Sequence, residues 1–340
     1  MGLFDEFNKV TKEQWLDKIK HDLKDRPLSS LEWEVDGLRL QPFHHWEDND
    51  MTYDPIPIKG EFRVGQTIHI QDHQEANKIA LKDLEGGTNS IYWIFDSLPS
   101  INNLTDLFNG IHLDWIDNLV CFPKTKFMEG IQIFNDYREI HAGNPFDITA
   151  VLEDHDQILD LDPASKFAIQ FPSNSKALAV GCKYAEKGHT PGNISFILPS
   201  DEDYFKNICT LRAFRLVWSR IMELMGQLGI SKISTLIDLV FYCNEEMNNN
   251  TIKATTIAIG SMIGGASQVF IAPSDANINV NGNTNSRRTA RNINHLLVEE
   301  SHLTKVHDAG AGSYFIEHLT DKIAFKLWSE FQNHMSNATS

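Results

Sequence analysis

Several groups of residues in this 340-residue chain have types and spacings that could do chemistry. His69 and His73 flank Asp72 in an H-x-x-D-H pattern. On a helix the two imidazoles would share one face, as metal ligands do. The sequence offers no evident third ligand, and solvated surface histidines are the interpretation that we favour. The run 154–156 (Asp-His-Asp) is interpreted as an exposed turn.

A glycine-rich turn offers a different chemistry. Residues 310–313 (Gly-Ala-Gly-Ser) follow a predicted last strand and open a predicted helix. Their backbone N–H groups and the helix dipole would favour an anion such as phosphate or part of CoA. In barrel enzymes phosphate often binds at this place. Glycines in a tight turn also have a purely steric explanation, so the two interpretations stay open.

Arginines form two further groups. Arg212 and Arg215 lie one turn apart beside the apolar stripe of a predicted helix, and Arg288, Arg291 and His295 have a similar arrangement on a later one. A guanidinium can hold a carboxylate or phosphate through two parallel hydrogen bonds. We favour the alternative, in which these arginines tie helices to neighbouring loops. The sequence has no P-loop, dinucleotide-binding fingerprint or nucleophile-elbow triad.

The elements that must position these residues begin with an appendage. A capping box at 11–14 starts a short amphipathic helix that ends near 26–27. Residues 28–57 then carry aromatic side chains, including Trp33, Phe43 and Trp46, with turn signals and no sustained period. We predict an N-terminal helix and an extended arm over 1–58, and the aromatics of the arm dock either on the main domain or on a partner subunit.

From about residue 60, apolar strand-like runs alternate with helical segments, which favours a parallel sheet. The best helices are predicted at 202–226, 287–301 and 313–332. We predict a TIM-type (β/α)8 barrel over 59–333, whose typical size matches this length, and a polar tail over 334–340. Seven strands are predicted at 91–95, 119–122, 166–171, 177–180, 194–198, 236–242 and 269–272, and an eighth at 303–307.

Composition and charge exclude several classes of function. The formal net charge of −16, without a basic run, makes nucleic acid a poor partner. Solubility is its simplest explanation, and a basic protein partner stays open. The four cysteines stand singly, which favours neither a disulfide framework nor a zinc ribbon. The N-terminus does not resemble a signal peptide and no run reaches membrane-spanning length, so we expect a cytoplasmic protein.

Four segments of the last third resemble the methylmalonyl-CoA mutase family. Residues 211–218 (LRAFRLVW) resemble its L-R-A-x-R-x-L-W helix, and 264–268 (GGASQ) are similar to its G-G-T-Q-S turn. Residues 290–301 resemble A-R-N-T-Q-x-I-L-x-E-E-S, and 306–314 (VHDAGAGSY) resemble V-x-D-P-x-x-G-S-Y. The N-terminal segments 13–15, 31–33, 42–43 and 84–88 look more like the small subunit than the large one.

The resemblance implies what a catalytic member would carry. Such members hold adenosylcobalamin on a C-terminal domain with a D-x-H-x-x-G motif, whose histidine ligates cobalt, and thread CoA through the barrel. This sequence lacks that motif. The family's R-Q-Y-A-G segment corresponds to 65–69, which puts Thr67 at its tyrosine, and G-Y-H-M-Q-E-A-G corresponds to 181–188, which puts Lys183 at its histidine. H-C-Q corresponds to 242–244, and Arg212 is the one substrate contact retained, as a vestige.

We therefore predict a non-catalytic small subunit of a heterodimeric, adenosylcobalamin-dependent methylmalonyl-CoA mutase. The large subunit would interconvert methylmalonyl-CoA and succinyl-CoA, and this chain would have no catalytic residue, cofactor or metal of its own and meet the CoA thioester only through that partner. Between Gly188 and Ile194 the sequence lacks the long helix that the family has there, which predicts a trimmed barrel with at least one crossover helix missing. The alternative is an independent barrel enzyme with a metal-assisted reaction through His69, Asp72 and His73.

Overall fold

The computed structural model describes residues 10–48, 61–141, 146–154, 158–238 and 247–337. Helix α1 (Lys12–Leu23) starts at the predicted capping box, because the Thr11 hydroxyl accepts from the Gln14 N–H and the Gln14 side chain accepts from the Thr11 N–H. Strands β1 (Trp33–Val35) and β2 (Leu38–Leu40) then pair as an antiparallel hairpin. Asp36 and Gly37 at its tip have φ of 51° and 77°, which a two-residue turn with left-handed backbone requires.

Eight parallel strands close into a barrel, which confirms the predicted TIM-type fold. Each strand pairs with the next in the chain, and the last returns to the first with Gln268 opposite Arg63. The barrel strands are β3 (Arg63–Ile70), β4 (Ser90–Phe95), β5 (Asp117–Cys121), β6 (Thr149–Glu153), β7 (Lys166–Gln170), β8 (Ile194–Pro199), β9 (Ile233–Ile237) and β10 (Gln268–Ile271).

Helices surround the barrel. A five-residue π-helix, Leu296–Glu300, directly follows the helix that ends at His295. Among the described residues no helix is long and apolar enough to cross a bilayer. The remaining helices are α2 (His73–Glu85), α3 (Ile101–Leu107), α4 (Phe127–Ile140), α5 (Asn174–Glu186), α6 (Tyr204–Leu224), α7 (Met247–Ile263), α8 (Thr284–His295) and α9 (Tyr314–Asn337).

The barrel is trimmed, but at a different connection from the one predicted. Helix α5 supplies the crossover before Ile194, where we expected none. The connection from β6 to β7 instead contains no helix in its described part, residues 154 and 158–165. Because β6 and β7 are parallel neighbours, with Thr149 opposite Lys166, this connection joins the carboxyl end of β6 to the amino end of β7 at the other edge of the barrel.

Two predicted strands are wrong, and two were missed. Residues 177–180 lie in α5, where nearly every side chain is buried, so the apolar run carried no helical period. Residues 303–307 form turns rather than a strand. The missed strands are β3, whose residues 65–67 are buried without being apolar, and the short β6. Helix α9 continues to Asn337, beyond the predicted end at 332, and the predicted boundary at 58 lies outside the described residues.

The hairpin docks on this barrel, one of the two surfaces that the sequence left open. Val35 and Leu40 are buried against Cys209 of α6 and Leu319 of α9. The Lys322 and Lys326 ammonium groups of α9 donate to the Arg39 and Asp36 carbonyls at 2.8 and 3.0 Å. The last helix that the structure describes thus holds the hairpin.

Candidate functional site

The carboxyl ends of the barrel strands carry a cluster of polar side chains. His69 of β3, Glu153 of β6, Gln170 of β7 and Asp238 after β9 stand at this end, which we call the barrel mouth. Active sites of TIM barrels lie at this face. A cavity of about 550 Å³ opens here. Its lining includes Glu153, Gln170, Phe171, Leu236 and Asp238.

Below the barrel mouth the interior is filled by side chains. Phe270 and Tyr92 are almost completely buried, with ring centroids 5.7 Å apart. The Phe270 ring lies so close to β3 that a Cβ at Gly65 would come within 2.6 Å of it. Position 65 must therefore be glycine for this ring to fit. The same cluster contains Leu119, Cys121, Val151, Ala168 and Ile197.

The polar groups among and next to these buried side chains are poorly suited to nucleophilic chemistry. The Tyr92 hydroxyl donates to Gln170 Oε1 at 3.0 Å, and Cys121 Sγ lies 3.6 Å from Glu153 Oε2. Burial raises the pKa of Tyr92 well above its usual value. Burial and the Glu153 charge raise the pKa of Cys121 to about 12. Both groups are therefore protonated at neutral pH, and a neutral thiol is a weak nucleophile.

We expect the buried thiols to resist alkylation in the folded protein. Burial raises the pKa values of Cys182 and Cys209 to about 11 and about 12, close to that of Cys121. Only the thiolate reacts, and access is also blocked. Iodoacetamide at about pH 8 should leave these three thiols unmodified for hours. Peptide mass spectrometry measures this, with the urea-unfolded chain as the control in which all three react. Rapid modification of the folded chain at any of them would contradict the burial.

The H-x-x-D-H residues do not share a helix face. His69 lies on β3, where its half-buried ring has a lowered pKa because desolvation outweighs the nearby charges of Asp96, Asp238 and Glu153. Asp72 instead caps α2 by accepting from the Glu75 N–H at 2.8 Å. Within the described ranges, no three His, Cys, Asp or Glu side chains converge in a way that could hold a metal ion.

Arg212 is enclosed in a buried ion-pair network between α6 and α9. Its Nε and Nη2 donate to the Asp308 carboxylate at 3.0 and 2.9 Å, and Nη2 also donates to Glu317 Oε1 at 3.0 Å. Nη1 donates to the Thr320 hydroxyl at 2.8 Å. Burial opposes the charge, but the two carboxylates outweigh it and raise the pKa of Arg212. The guanidinium is thus fully engaged inside the protein, away from the barrel mouth.

The glycine turn at 310–313 binds the same two carboxylates. The Gly310 N–H donates to Asp308 Oδ1 at 3.2 Å, and the Gly312 N–H donates to Glu317 Oε1 at 3.0 Å. Two of the backbone N–H groups that we considered for phosphate or CoA thus bind carboxylate side chains of this chain. Because residues 303–307 form no strand, the turn also does not lie at a strand end.

Arg215, Arg291 and His295 have structural partners, as we favoured. The Arg215 guanidinium donates to the Gly265 carbonyl at 2.6 Å, and burial lowers its pKa to about 10. Arg287 and Arg291 of α8 both bind the buried Asp83 carboxylate of α2. His295 Nε2 lies 3.1 Å from the Gly86 carbonyl oxygen at the end of α2. Arg288 is exposed.

The segments aligned with the family's substrate contacts lie in different places. Residues 65–69 are on β3, with Thr67 buried. Residues 181–188 lie in α5 and the turn after it, so Lys183 belongs to the outer helix layer. The residues before α5 that line the barrel mouth are Gln170, at the end of β7, and Phe171, directly after it. Residues 242–244 and 155–156 lie outside the described ranges, and Asp154 adopts a turn with φ of 46°.

Comparisons with known proteins point to one family. A family model described as methylmalonyl-CoA mutase matches residues 177–336. The methylmalonyl-CoA mutase small subunits of Propionibacterium freudenreichii subsp. shermanii and Porphyromonas gingivalis are 30% and 26% identical over 98% and 97% of this chain. A probable small subunit of Mycobacterium tuberculosis is 36% identical over 41% of it. The chain spans 63% of the first two proteins and 24% of the third.

Proposed function

Since this chain belongs to the methylmalonyl-CoA mutase family, we propose that it is the non-catalytic small subunit of a heterodimeric, adenosylcobalamin-dependent mutase. The partner is a large subunit that interconverts methylmalonyl-CoA and succinyl-CoA. The relatives with which it aligns over nearly its whole length are named small subunits, and a small subunit implies a larger companion. The localisation that we propose is cytoplasmic.

The packed barrel interior is the observation that carries the non-catalytic role. A catalytic member of the family threads CoA along the barrel axis, which requires space between the strands. Here Phe270 and Tyr92 occupy that space, and the contact of the Phe270 ring with Gly65 leaves no room beside β3. A CoA chain could pass only if several buried side chains moved, and a close-packed interior resists such movement.

Electrostatics at the barrel mouth supports the same proposal. Glu153, Asp154 and Asp238 line the cavity, with Lys124 as the one cationic side chain among the described lining residues. A CoA thioester of a dicarboxylic acid carries several negative charges and would be repelled by this lining. Arg212 cannot compensate, because Asp308 and Glu317 already neutralise it.

The residues of this chain do not fit the ligation of cobalamin. The D-x-H-x-x-G motif is absent from its sequence, and the His69 imidazole at the barrel mouth lies in the field of Asp96, Asp238 and Glu153 as well as of Arg287. We therefore assign no step of the radical reaction to this chain. Its role is to stabilise the large subunit through an interface, and obligate interfaces of this kind bury about 2,000 Å² or more.

Co-expression with a large subunit that bears the D-x-H-x-x-G motif tests the proposal. The two chains should elute together as a heterodimer with mutase activity. The chain purified alone should leave the absorption spectrum of adenosylcobalamin unchanged and should not convert methylmalonyl-CoA. Conversion of methylmalonyl-CoA by the isolated chain would refute the non-catalytic role, and separate elution of the two chains would refute the partnership.

A further inference from the structure

Helix α1 and residues 41–48 form one small unit, which we call the flap. The Trp15 ring packs on Phe43 and His45, with centroids 5.5 and 5.8 Å apart. The Lys12 ammonium pairs with the Asp48 carboxylate. Within α1 only Leu23 is buried, so the flap adds little to the hydrophobic core. Its stability on the barrel depends on a small number of contacts.

One of these contacts is a pair of imidazoles. The His44 ring of the flap lies 4.8 Å from the His318 ring of α9, and it also packs on Phe315 at 5.7 Å. His44 Nε2 lies 3.0 Å from the Gln41 carbonyl oxygen, so in the neutral ring this nitrogen is the donor. Both rings are half-buried. Two neutral rings pack well at this distance, whereas two imidazolium ions repel each other.

The surrounding charges favour neutral rings. Burial lowers the pKa of both rings most, Lys322 of α9 lowers both further, and the Asp48 carboxylate acts in the opposite direction. Glu47 is directed to the neighbouring His45, 3.9 Å from Nδ1. Protonation of both rings would therefore add two positive charges beside those of Lys322 and Lys12.

We propose that the flap detaches from α9 in mildly acidic solution, when His44 and His318 are both protonated, while the hairpin stays on the barrel. The hairpin differs because neither imidazole is among its anchors. Val35 and Leu40 are buried in an apolar cluster, and Lys322 and Lys326 donate to backbone carbonyls. The surface of α9 around Phe315 and His318 would become accessible, independently of the proposed function.

The pH window follows from the pKa shifts. Burial lowers the pKa of both histidines below the ordinary value of 6.5. The detached flap, with ordinary values, therefore binds more protons than the attached one. The contribution of the neutral pair to attachment is complete above about pH 7.5 and falls as the pH drops through 6.5 towards the lowered values.

Hydrogen exchange measured by mass spectrometry on the whole chain tests this proposal. After correction for intrinsic exchange, protection of residues 12–24 and 41–48 should fall by about tenfold or more between about pH 7.5 and about pH 5. Protection of residues 33–40 should not change. His318→Phe keeps an aromatic ring beside His44, but this ring cannot be protonated. The protection of the flap in this variant should therefore fall by less than about twofold over the same pH range. His44→Phe is a second variant with the same expectation.

His112→Phe is the matched control. His112 also stacks on an aromatic ring, with its centroid 4.2 Å from that of Trp115. Because it lies outside the flap, the flap of this variant should lose protection in acid as the wild-type flap does. The proposal is wrong if wild-type flap protection is independent of pH. It is also wrong if both phenylalanine variants open as the wild type does, or if the hairpin opens together with the flap.

Discussion

Replacing Arg212 with alanine should destabilise the folded chain by about 3–5 kcal/mol, because Asp308 and Glu317 would be left buried without their cation. The side chains of Arg212, Asp308 and Glu317 are only 3%, 4% and 6% exposed. Water therefore cannot take over the role of the guanidinium. Urea denaturation followed by circular dichroism gives the free energy of unfolding directly.

Arg220→Ala is the control for this prediction, because it removes an arginine from the same helix. Arg220 pairs with Glu223 at 2.6 Å, but both side chains are more than half exposed, so the loss should not exceed about 1 kcal/mol. Equal losses in the two variants would show that the network contributes nothing beyond a surface pair.

Replacing Phe270 with alanine should cost about 3–5 kcal/mol, because a large cavity would open between the barrel strands. The surrounding strands are joined in a closed sheet and cannot collapse onto the space. Phe325→Ala removes the same side chain from α9, where it is 79% exposed. That control should change the stability by no more than about 0.5 kcal/mol. Urea midpoints that coincide for the two variants would mean that the interior is not filled as described.

The barrel could be predicted because its strands and helices leave strong local signals. Strand β4, an apolar run over 91–95 in the sequence, and helix α6, with its stripe from Leu211 to Met225, were both found. Helix α5 was mistaken for a strand at 177–180, because burial on nearly all sides removes the period that distinguishes the two. Strand β3 was missed, because Gly65, Gln66 and Thr67 in its middle are buried without being apolar.

The candidate site could be predicted only in part. The pairing of Arg212 with the 308–317 region required the fold, since 96 and 105 residues separate the arginine from its two carboxylates. Glu153, Gln170 and Asp238 were not recognised as neighbours, because they are single polar residues near the ends of different strands. Once the strands are known, however, their position alone predicts that they meet at one face.

Docking of the hairpin on α9 has a consequence for how the chain is made. The Asp36 carbonyl and the Lys326 ammonium that binds it are 290 residues apart, so the ribosome synthesises one of these partners long before the other. Until translation reaches the last helix, Val35 and Leu40 have no α9 surface to cover them. Such long-range contacts form late, and the nascent chain must keep this apolar segment from aggregating during elongation.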